Sequence, residues 1–395
     1  MGDAALTTDY RQWTLREVSL DTGVVQMASK PGVLLHGELD PAAQMLAESV
    51  ACGANDVLLQ LQGGNGLLGV IAARAGATVW ISDRHLPGAE AAERTLRANE
   101  VSGTVCHGMG LEPFAVPPAP TVVAIRLPVE KFAVRQLLHD AWHALPVGGR
   151  CVVAGANDEG AKSAARMLER VYGEATVIAQ HSGHRAVAAV KTAKTPADDT
   201  DIQDPRFAYD VFHEMPANLR GESLTLASRP GVFSWEHPDE ATTLLADAIE
   251  IPVGASVLDL GCGSGGLGIV AARLSRTGRV VLVDADAEAV RSARRSVTLA
   301  SATTCEVMAS DVAGAVLDER FDVVVTNPPF HIGKGTDLRV PRQFIADAAQ
   351  VLPRGGTLWL VANRTLPYEG LLRDQFAQVA IVRDERRFKV LRATR

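Results

Sequence analysis

Cysteine is scarce in this chain of 395 residues, which contains five, at positions 52, 106, 151, 262 and 305. They form no C-x-x-C pair, and no histidine stands near them at the spacing of metal ligands. This pattern excludes a disulfide framework and a structural zinc site. It predicts a reduced, cytoplasmic protein that holds no metal.

Long apolar runs are also missing from the sequence. No segment approaches the roughly 18 uninterrupted apolar residues that a membrane span requires. The first residues, MGDAALTTDYRQW, show no basic segment followed by an apolar stretch. We therefore expect neither a secretion signal nor an association with a membrane.

An excess of positive charge is absent as well. The formal net charge is −7, from 39 Lys and Arg residues against 46 Asp and Glu residues. Proteins that bind nucleic acid through their overall charge are basic, so any RNA contact here must use local basic patches. The hydrophobic fraction of 47% is that of a globular protein. The length suits two domains of about 150–200 residues each.

An internal repeat is the main organising feature that the sequence does contain. ASKPGV at residues 28–33 recurs as ASRPGV at residues 227–232, a shift of 199 residues, and LLGVIAAR ending at Arg74 recurs as LGIVAAR ending at Arg273. A repeat this long indicates a duplicated domain, because solenoid units span about 20–50 residues. We place the first domain at residues 1–195, a polar linker at 196–206 and the second domain at 207–395.

Apolar strand patterns alternate with helical patterns in both copies. In the second copy ASVLDLGCGSG reads as a strand entering a glycine turn, GLGIVAARLSR as a helix and RVVLVDAD as the next strand. This alternation predicts an α/β fold with a mainly parallel sheet covered by helices on both faces. Ligands of such sheets bind beyond the carboxyl ends of the strands.

The glycine turn of the second copy, LDLGCGSGGLG at residues 258–268, is accompanied by acidic residues at successive strand ends. Glycines let the backbone approach a ligand closely, and G-x-G-x-x-G is also satisfied, so a dinucleotide site must be weighed. Asp284 suits ribose hydroxyls in either case. Asp259, just before the first glycine, suits a cationic ligand such as S-adenosylmethionine, and Asp311 suits an adenine amino group. A purely structural turn is the third alternative.

A second motif, VVVTNPPFHIGKG at residues 323–335, ends a strand with two prolines. Proline removes an N–H donor and fixes φ, so the corner is rigid. The side-chain oxygen of Asn327 and the carbonyl of Pro328 can each accept a hydrogen bond from an exocyclic amine, and Phe330 offers a face for a base to stack on. The alternative is a simple strand-ending turn.

Together with SRPGVFS at residues 228–234 and FKVLRA at residues 388–393, the second half resembles the bacterial ribosomal-RNA guanine-N2 methyltransferases. The resemblance implies two tandem Rossmann-like class I methyltransferase domains with mainly parallel seven-stranded sheets, the first degenerate and the second active. It also implies S-adenosyl-L-methionine as cofactor and a ribosomal RNA or ribosomal subunit as substrate. We expect a monomer in which the duplication forms an internal pseudo-dimer.

The candidate site residues fall into three groups. The catalytic group is Asn327, Pro328, Pro329 and Phe330. The cofactor group is Asp259, Gly261, Cys262, Gly263, Gly265, Asp284, Ala285, Asp311, Val312, Asn327 and Phe233, with Phe233 in a loop over the methyl donor. The substrate group is His331, Arg339 and Arg342, of which the two arginines are candidates for phosphate contacts.

Three other functions use similar motifs. The NPPF corner is shared with glutamine N5 methyltransferases that act on release factors and with DNA adenine-N6 methyltransferases. A non-catalytic ribosome-assembly factor built on inactive methyltransferase domains is the alternative outside enzymes.

The first copy keeps Asp83 opposite Asp284 but lacks the other candidate site groups of the second. Gln60 stands opposite Asp259, Gln62 opposite Gly261, Gly110 opposite Asp311, and Arg126-Leu127-Pro128-Val129 opposite Asn-Pro-Pro-Phe. The first domain is therefore predicted to be inactive. Its expected roles are to support the second domain and to contact RNA through Arg126, Lys131 and Arg135, unless these are only solvated surface charges.

Overall fold

The computed structural model describes residues 9–115, 119–193, 205–329 and 339–395. The chain divides into two compact units, Met1–Val211 and Phe212–Arg395. Among the described residues, no helix has both the length and the apolar character needed to cross a bilayer.

The first unit opens with a two-stranded antiparallel hairpin and continues as an alternation of strands and helices. Its elements are β1 (Thr14–Leu20), β2 (Gly23–Ser29), α1 (Pro41–Ser49), β3 (Val57–Leu61), α2 (Leu67–Arg74), β4 (Thr78–Asp83), α3 (Leu86–Ala98), β5 (Thr104–His107), β6 (Val122–Arg126), α4 (Lys131–Ala144), β7 (Arg150–Ala156), α5 (Ala161–Tyr172), β8 (Thr176–His181) and β9 (His184–Val190). The order of its seven-stranded sheet is β5-β4-β3-β6-β7-β9-β8, parallel except for the pairings of β9.

The second unit repeats this order of helices and strands through to its last strand. Its elements are β10 (His213–Leu219), β11 (Glu222–Ser228), α6 (Glu240–Ala248), β12 (Val257–Leu260), α7 (Gly266–Ser275), β13 (Val280–Asp284), α8 (Ala287–Leu299), β14 (Cys305–Ala309), β15 (Val323–Thr326), α9 (Arg339–Val351), β16 (Thr357–Asn363), α10 (Tyr368–Arg373), β17 (Gln378–Asp384) and β18 (Phe388–Thr394). The sheet order is β14-β13-β12-β15-β16-β18-β17.

The predicted fold class is confirmed, because both units contain a mostly parallel sheet of seven strands with helices. The central strands of the second unit, β12 and β15, are buried along their whole length. Strands covered on both faces are continuous apolar runs, which is how VLDL and VVVT read. Burying each valine contributes about 1.5–3 kcal/mol, so these strands form a stable base for whatever follows their carboxyl ends.

Candidate active site

Four adjacent parallel strands of the second unit carry the predicted site residues at one edge of the sheet. The strands lie in the order β14-β13-β12-β15, and the register places Asp259 opposite Leu282 on one side and Val325 on the other. Because the carboxyl ends of parallel strands meet at the same edge, the segments after all four strands converge there. The fold therefore brings the glycine turn, the acidic residues and Asn327 together.

The glycine turn after β12 has a backbone that other residues rarely adopt. Gly261, Gly263 and Gly265 have φ values of +76°, +53° and +87°. The N–H groups of Gly261 and Cys262 both donate to the carbonyl of Val283, at 2.9 and 3.0 Å. A left-handed backbone favours glycine, so the composition of the turn follows from its shape.

Gly268, on the first turns of α7, shows why that helix packs so closely on the sheet. A Cβ atom at this position would lie 2.4 Å from Cδ2 of Leu282 on β13. Glycine therefore allows the helix to pack directly against the strand. Helix N-termini favour anionic or polar ligand groups.

Asp259 is fully buried within β12 and only half satisfied. Its Oδ2 accepts a hydrogen bond from the Gly268 N–H at 2.7 Å, whereas Oδ1 has no hydrogen-bond partner among the described residues. Burial raises the pKa of Asp259 to about 7, and the charge of Asp284 adds to the effect. An unpaired buried carboxylate is costly, and a cationic partner removes that cost. The site is therefore suited to a positively charged ligand group at Asp259.

Asp284, at the end of β13, holds the turn in place with both of its oxygens. Oδ2 accepts from the Gly263 N–H at 2.9 Å, and Oδ1 accepts from the Asp286 N–H at 2.9 Å. Each carboxylate oxygen has two lone pairs and can accept more than one hydrogen bond, so Asp284 is chemically suited to hydroxyl groups of a ligand. Ala285 follows directly and is half-buried.

The loop after β14, which contains Asp311 and Val312, has a strained backbone. Val312 has φ of +52°, which is a genuine outlier for a β-branched side chain. Asp347 of α9, which is 1% exposed, stabilises the loop because its Oδ2 accepts from the Ala313 N–H at 3.0 Å. Strain of this kind persists only where the surroundings over-determine it, and it is concentrated at functional sites.

Asn327 is held by two side chains from the start of α6. Its Nδ2 lies 3.0 Å from Oδ2 of Asp239 and 3.0 Å from Oγ1 of Thr242. The Thr326 hydroxyl donates to the Leu260 carbonyl at 2.7 Å, which ties the end of β15 to the end of β12. The amide is thus fixed next to the glycine turn.

The remaining predicted residues differ in how they are placed. Pro328 is buried and Pro329 exposed, whereas Phe330 and His331 lie outside the described residues. Phe233 is 67% exposed, so its side chain is not packed into the protein. Arg339 and Arg342 both belong to the first turn of α9, with Arg342 exposed.

Cys262 takes part in the glycine turn through its backbone, and its thiol is not reactive. Burial raises the pKa of its thiol well above the ordinary value, and the nearby carboxylates of Asp284 and Asp259 raise it further. The thiol therefore stays protonated and is not a nucleophile.

Sequence reasoning missed Asp239, Thr242 and Asp347. For Asp347 the sequence did hold a signal, because the spacing Gln-x-x-x-Asp occurs in both copies. In the structure Gln343 on α9 donates to Asp347 at 2.6 Å, and Gln136 on α4 donates to Asp140 at 3.1 Å. Asp239 and Thr242 gave no comparable signal beyond the capping position before α6.

The first copy differs from the sequence-based expectation at two places. Ala309 pairs with Asp284 and His107 pairs with Asp83, so counting two residues onward makes Met109, and not Gly110, the counterpart of Asp311. Gly110 corresponds instead to Val312, and the two share a left-handed backbone, with φ of +55° and +52°. The sequence comparison missed this offset because the loops share no residue identity.

The second difference concerns Arg126, which was expected to contact RNA. Its Nε donates to Oδ2 of Asp40 at 2.9 Å, and the arginine side chain is only 14% exposed. Asp40 caps α1 as Asp239 caps α6, so Arg126 occupies the place of Asn327 and pairs with the corresponding acid. Its charge is therefore engaged inside the first unit.

The strand order, the glycine turn and the acidic strand ends define the class of Rossmann-like methyltransferases. The sequence pattern described as "Methyltransferase small domain" matches residues 24–188 and 223–392, which is most of the chain and includes both units.

Named relatives narrow the class. The chain is 32% identical over 277 residues to the ribosomal RNA small subunit methyltransferase C of Alteromonas mediterranea, covering 69% of this chain and 73% of that protein. It is 33% identical over 276 residues to the protein of the same name from Hahella chejuensis, covering 69% and 77%. The chain therefore belongs to the ribosomal RNA small subunit methyltransferase C family.

A solved structure agrees over nearly the whole length. The 16S rRNA N2 G1207 methyltransferase of T. thermophilus, in complex with AdoMet and guanosine, has a TM-score of 0.81 and 28% identity, and the match covers 97% of this chain and 98% of that chain. The resemblance drawn from the sequence motifs is confirmed.

Proposed function

We propose that this chain transfers a methyl group from S-adenosyl-L-methionine to the exocyclic N2 amine of a guanine in small-subunit ribosomal RNA. The observation that carries the proposal is the placement of Asn327, whose amide nitrogen is bound by Asp239 and Thr242 at 3.0 Å each. The amide oxygen is then left to accept a hydrogen bond, next to a buried acid that suits a cationic cofactor.

The cofactor is proposed to bind at the carboxyl ends of three strands of the second unit, β12, β13 and β14. Oδ1 of Asp259, buried without a hydrogen-bond partner in the described part of the chain, is proposed to accept from the cationic amino group. Asp284 is proposed to bind the ribose hydroxyls, and Asp311 the adenine amino group, with the strained backbone of Val312 against the ring. The turn at residues 261–265, with Ala285, lines the remaining surface. When bound, S-adenosylmethionine supplies an electrophilic methyl group on a sulfonium sulfur.

The amine needs activation because its lone pair is delocalised into the guanine ring. Oδ1 of Asn327 and the backbone carbonyl of Pro328 are proposed to accept its two N–H bonds, which draws the nitrogen toward tetrahedral geometry. Pro328 and Pro329 fix the carbonyl direction beforehand, so little reorganisation is needed. The lone pair is then aimed at the methyl carbon, with near-attack distances of about 3–3.5 Å. As the new N–C bond forms, the C–S bond breaks and the nitrogen loses one proton to water.

The RNA must present its guanine unstacked, because the accepting atoms lie at the end of a strand inside the site. Phe330 is proposed to stack on the base, and His331 to contact it, both in the segment beyond the described residues. Arg339 and Arg342 begin α9, which follows that segment, and are proposed to bind phosphates near the target base. The exposed ring of Phe233 is proposed to cover the methyl donor.

The first unit is proposed to be inactive in methyl transfer. Gln60, a neutral amide, stands where the second unit has Asp259, the residue proposed to bind the cofactor. Arg126, a hydrogen-bond donor, stands where the second unit has Asn327, the residue proposed to accept from the base. Each chain then has one site for methyl transfer, in the second unit. We propose that it acts as a monomer in the cytoplasm.

The proposal is tested with purified protein, S-adenosylmethionine carrying an isotopic methyl label, and small ribosomal subunits lacking the modification. Mass spectrometry of the digested nucleosides is expected to show label in N2-methylguanosine. Label in N6-methyladenosine, or in no nucleoside at all, would contradict the proposal. Free 16S rRNA tested in parallel distinguishes naked RNA from the assembled particle as substrate.

A further inference from the structure

Three hydrogen-bond donors converge on one oxygen at the start of α6. Oδ2 of Asp239 accepts from the Thr242 N–H at 2.7 Å, from the Thr242 hydroxyl at 3.0 Å and from Nδ2 of Asn327 at 3.0 Å. The first contact caps the helix. The third reaches across 88 residues of sequence to the proposed catalytic amide.

We propose that Asp239, with Thr242, is a positioning residue that decides whether Oδ1 or Nδ2 of Asn327 points toward the substrate. An ionised carboxylate accepts hydrogen bonds and donates none. The atom of Asn327 facing Asp239 must therefore be Nδ2, because Oδ1 in that place would set two acceptors against each other. The carboxylate thus selects one of the two amide orientations.

Thr242 completes the selection. Its hydroxyl hydrogen is directed to Asp239, so its oxygen lone pairs remain to accept from Nδ2, which lies 3.0 Å from Oγ1. Both acceptors therefore lie on the Nδ2 side of the amide. Oδ1 is the only polar atom of the Asn327 side chain that is left to face a ligand.

The orientation matters for the reaction, and this step rests on the proposed function. A flipped Asn327 would present N–H donors to the N–H donors of guanine N2, and no hydrogen bond would form. Only the selected orientation withdraws a hydrogen from the amine and aims its lone pair. A free amide would divide its time between the two, so Asp239 is expected to act on the chemical step and not on cofactor binding.

The corresponding residues of the first unit support the positioning role of Asp239 and Thr242. Its corresponding acid, Asp40, still caps α1, where the Ala42 N–H donates to its Oδ1 at 3.1 Å. The place of Thr242 is taken by Ala43, and the acid now pairs with Arg126. The capping role persists in the unit that lacks Asn327, whereas the threonine that completes the orientation is absent.

The test begins with Asp239→Ser, since serine is also a favoured N-cap but is too short to reach Asn327. The rate of N2-methylguanosine formation at saturating substrates is expected to fall about 10–100-fold, while the Kd for S-adenosylmethionine stays unchanged. Glu130→Ser is the matched control, because Glu130 caps α4 of the first unit through the Phe132 N–H at 2.9 Å. That control is expected to keep the wild-type rate.

The decisive comparison uses Asn327→Asp, which sets a second carboxylate against Asp239 and is expected to be nearly inactive. In that background Asp239→Ser removes the repulsion, so the double variant is expected to be at least several-fold more active than Asn327→Asp alone. A capping residue without a positioning role would lower activity in both backgrounds, and that result would overturn the inference. If the wild-type protein forms no N2-methylguanosine, the proposed function fails. If it does form it, but Asp239→Ser lowers activity in the Asn327→Asp background as it does in the wild type, only this inference fails.

Discussion

The two units share the order of their elements and strands but differ in the side chains at the strand ends, which separates what the fold needs from what the reaction needs. Asp83 and Asp284 illustrate the shared part. Asp83 accepts from the Gly64 N–H at 2.8 Å and the His85 N–H at 2.9 Å, just as Asp284 accepts from Gly263 and Asp286. An acid at this strand end is therefore sufficiently explained by the glycine turn. Its presence alone does not indicate a cofactor.

Asp259 and Gln60 illustrate the part that differs. Both side chains are buried at the same place in the central strand, yet Gln60 is neutral and its Nε2 donates to the Gly63 carbonyl at 3.3 Å. Asp259 retains a carboxylate whose pKa burial raises to about 7. Each side chain has one buried oxygen, Oε1 of Gln60 and Oδ1 of Asp259, without a hydrogen-bond partner among the described residues, so the two positions differ in charge and not in the unpaired oxygen. Burying a charge without a partner costs far more than burying a neutral amide. This difference in charge is what makes the second unit the one suited to a cationic ligand.

A buried cation lies next to the hairpin in each unit. Lys30 lies over the ring of Tyr10, at 4.3 Å from its centroid, and Arg229 lies over the ring of Phe212, at 5.8 Å, and also pairs with Glu288 at 2.7 Å. A cation against an aromatic ring is thus a feature that both units share.

The largest expected effect concerns the corner after β15. Asn327→Ala is expected to lower the rate of methyl transfer about 100–1,000-fold, as the loss of one preorganised polar group does at other active sites. Cofactor binding is expected to persist. Single-turnover kinetics with labelled cofactor measure the first quantity and calorimetry the second. A rate within threefold of wild type would refute the role of the amide.

The next effect compares the two buried positions. Asp259→Asn preserves size and the contact with Gly268 but removes the charge, so the Kd for S-adenosylmethionine is expected to rise about 10–100-fold. Gln60→Leu in the first unit is the matched control, and its Kd is expected to equal that of wild type. Isothermal titration calorimetry measures both. Equal effects of the two substitutions would remove the distinction between the units.

The raised pKa of Asp259 also predicts a pH dependence. A cationic ligand favours the ionised carboxylate, so cofactor affinity is expected to rise as pH increases and to level off above about 7. Below that pH the affinity is expected to fall by up to about tenfold per unit. The stability of the ligand-free protein depends on pH in the opposite direction. Its native state binds the Asp259 proton more tightly than the unfolded state does, so its free energy of unfolding is expected to fall as pH rises toward 7.

Asp259→Asn supplies the control for this pH dependence, since it removes the titrating group. Titrations of wild type and variant between pH 5.5 and 8.5, run in the same buffers, measure the difference. Parallel curves for the two proteins would assign the pH dependence to another group.

The smallest effect on activity is expected in the first unit. Arg126→Leu breaks a pair with Asp40 in which the side chains are 14% and 6% exposed, and is expected to lower the free energy of unfolding by about 1–3 kcal/mol. Methyl transfer is expected to be unchanged where the protein is folded. Denaturant titration and the methylation assay measure these separately. A raised KM for the ribosomal substrate would instead restore the expectation that Arg126 contacts RNA.

Local patterns in the sequence were enough to predict the strands, the glycine turn and the duplication. Apolar runs such as VVLVD and left-handed glycines such as Gly263 carry their structural meaning within a few residues. The contacts of Asn327 do not, because they join residues 88 and 85 positions apart. The offset between Met109 and Gly110 was missed for a related reason, since only strand pairing defines the register of a loop without sequence identity.

The central claim is that the second unit methylates guanine and the first does not. The most direct measurement is mass spectrometry of nucleosides from small-subunit rRNA of a strain that lacks the gene, complemented in turn by wild type, Asn327→Ala and Arg126→Leu. We predict that one N2-methylguanosine is lost on deletion, and that wild type and Arg126→Leu restore it while Asn327→Ala does not. Restoration by Asn327→Ala, or an rRNA unchanged by the deletion, would contradict the account.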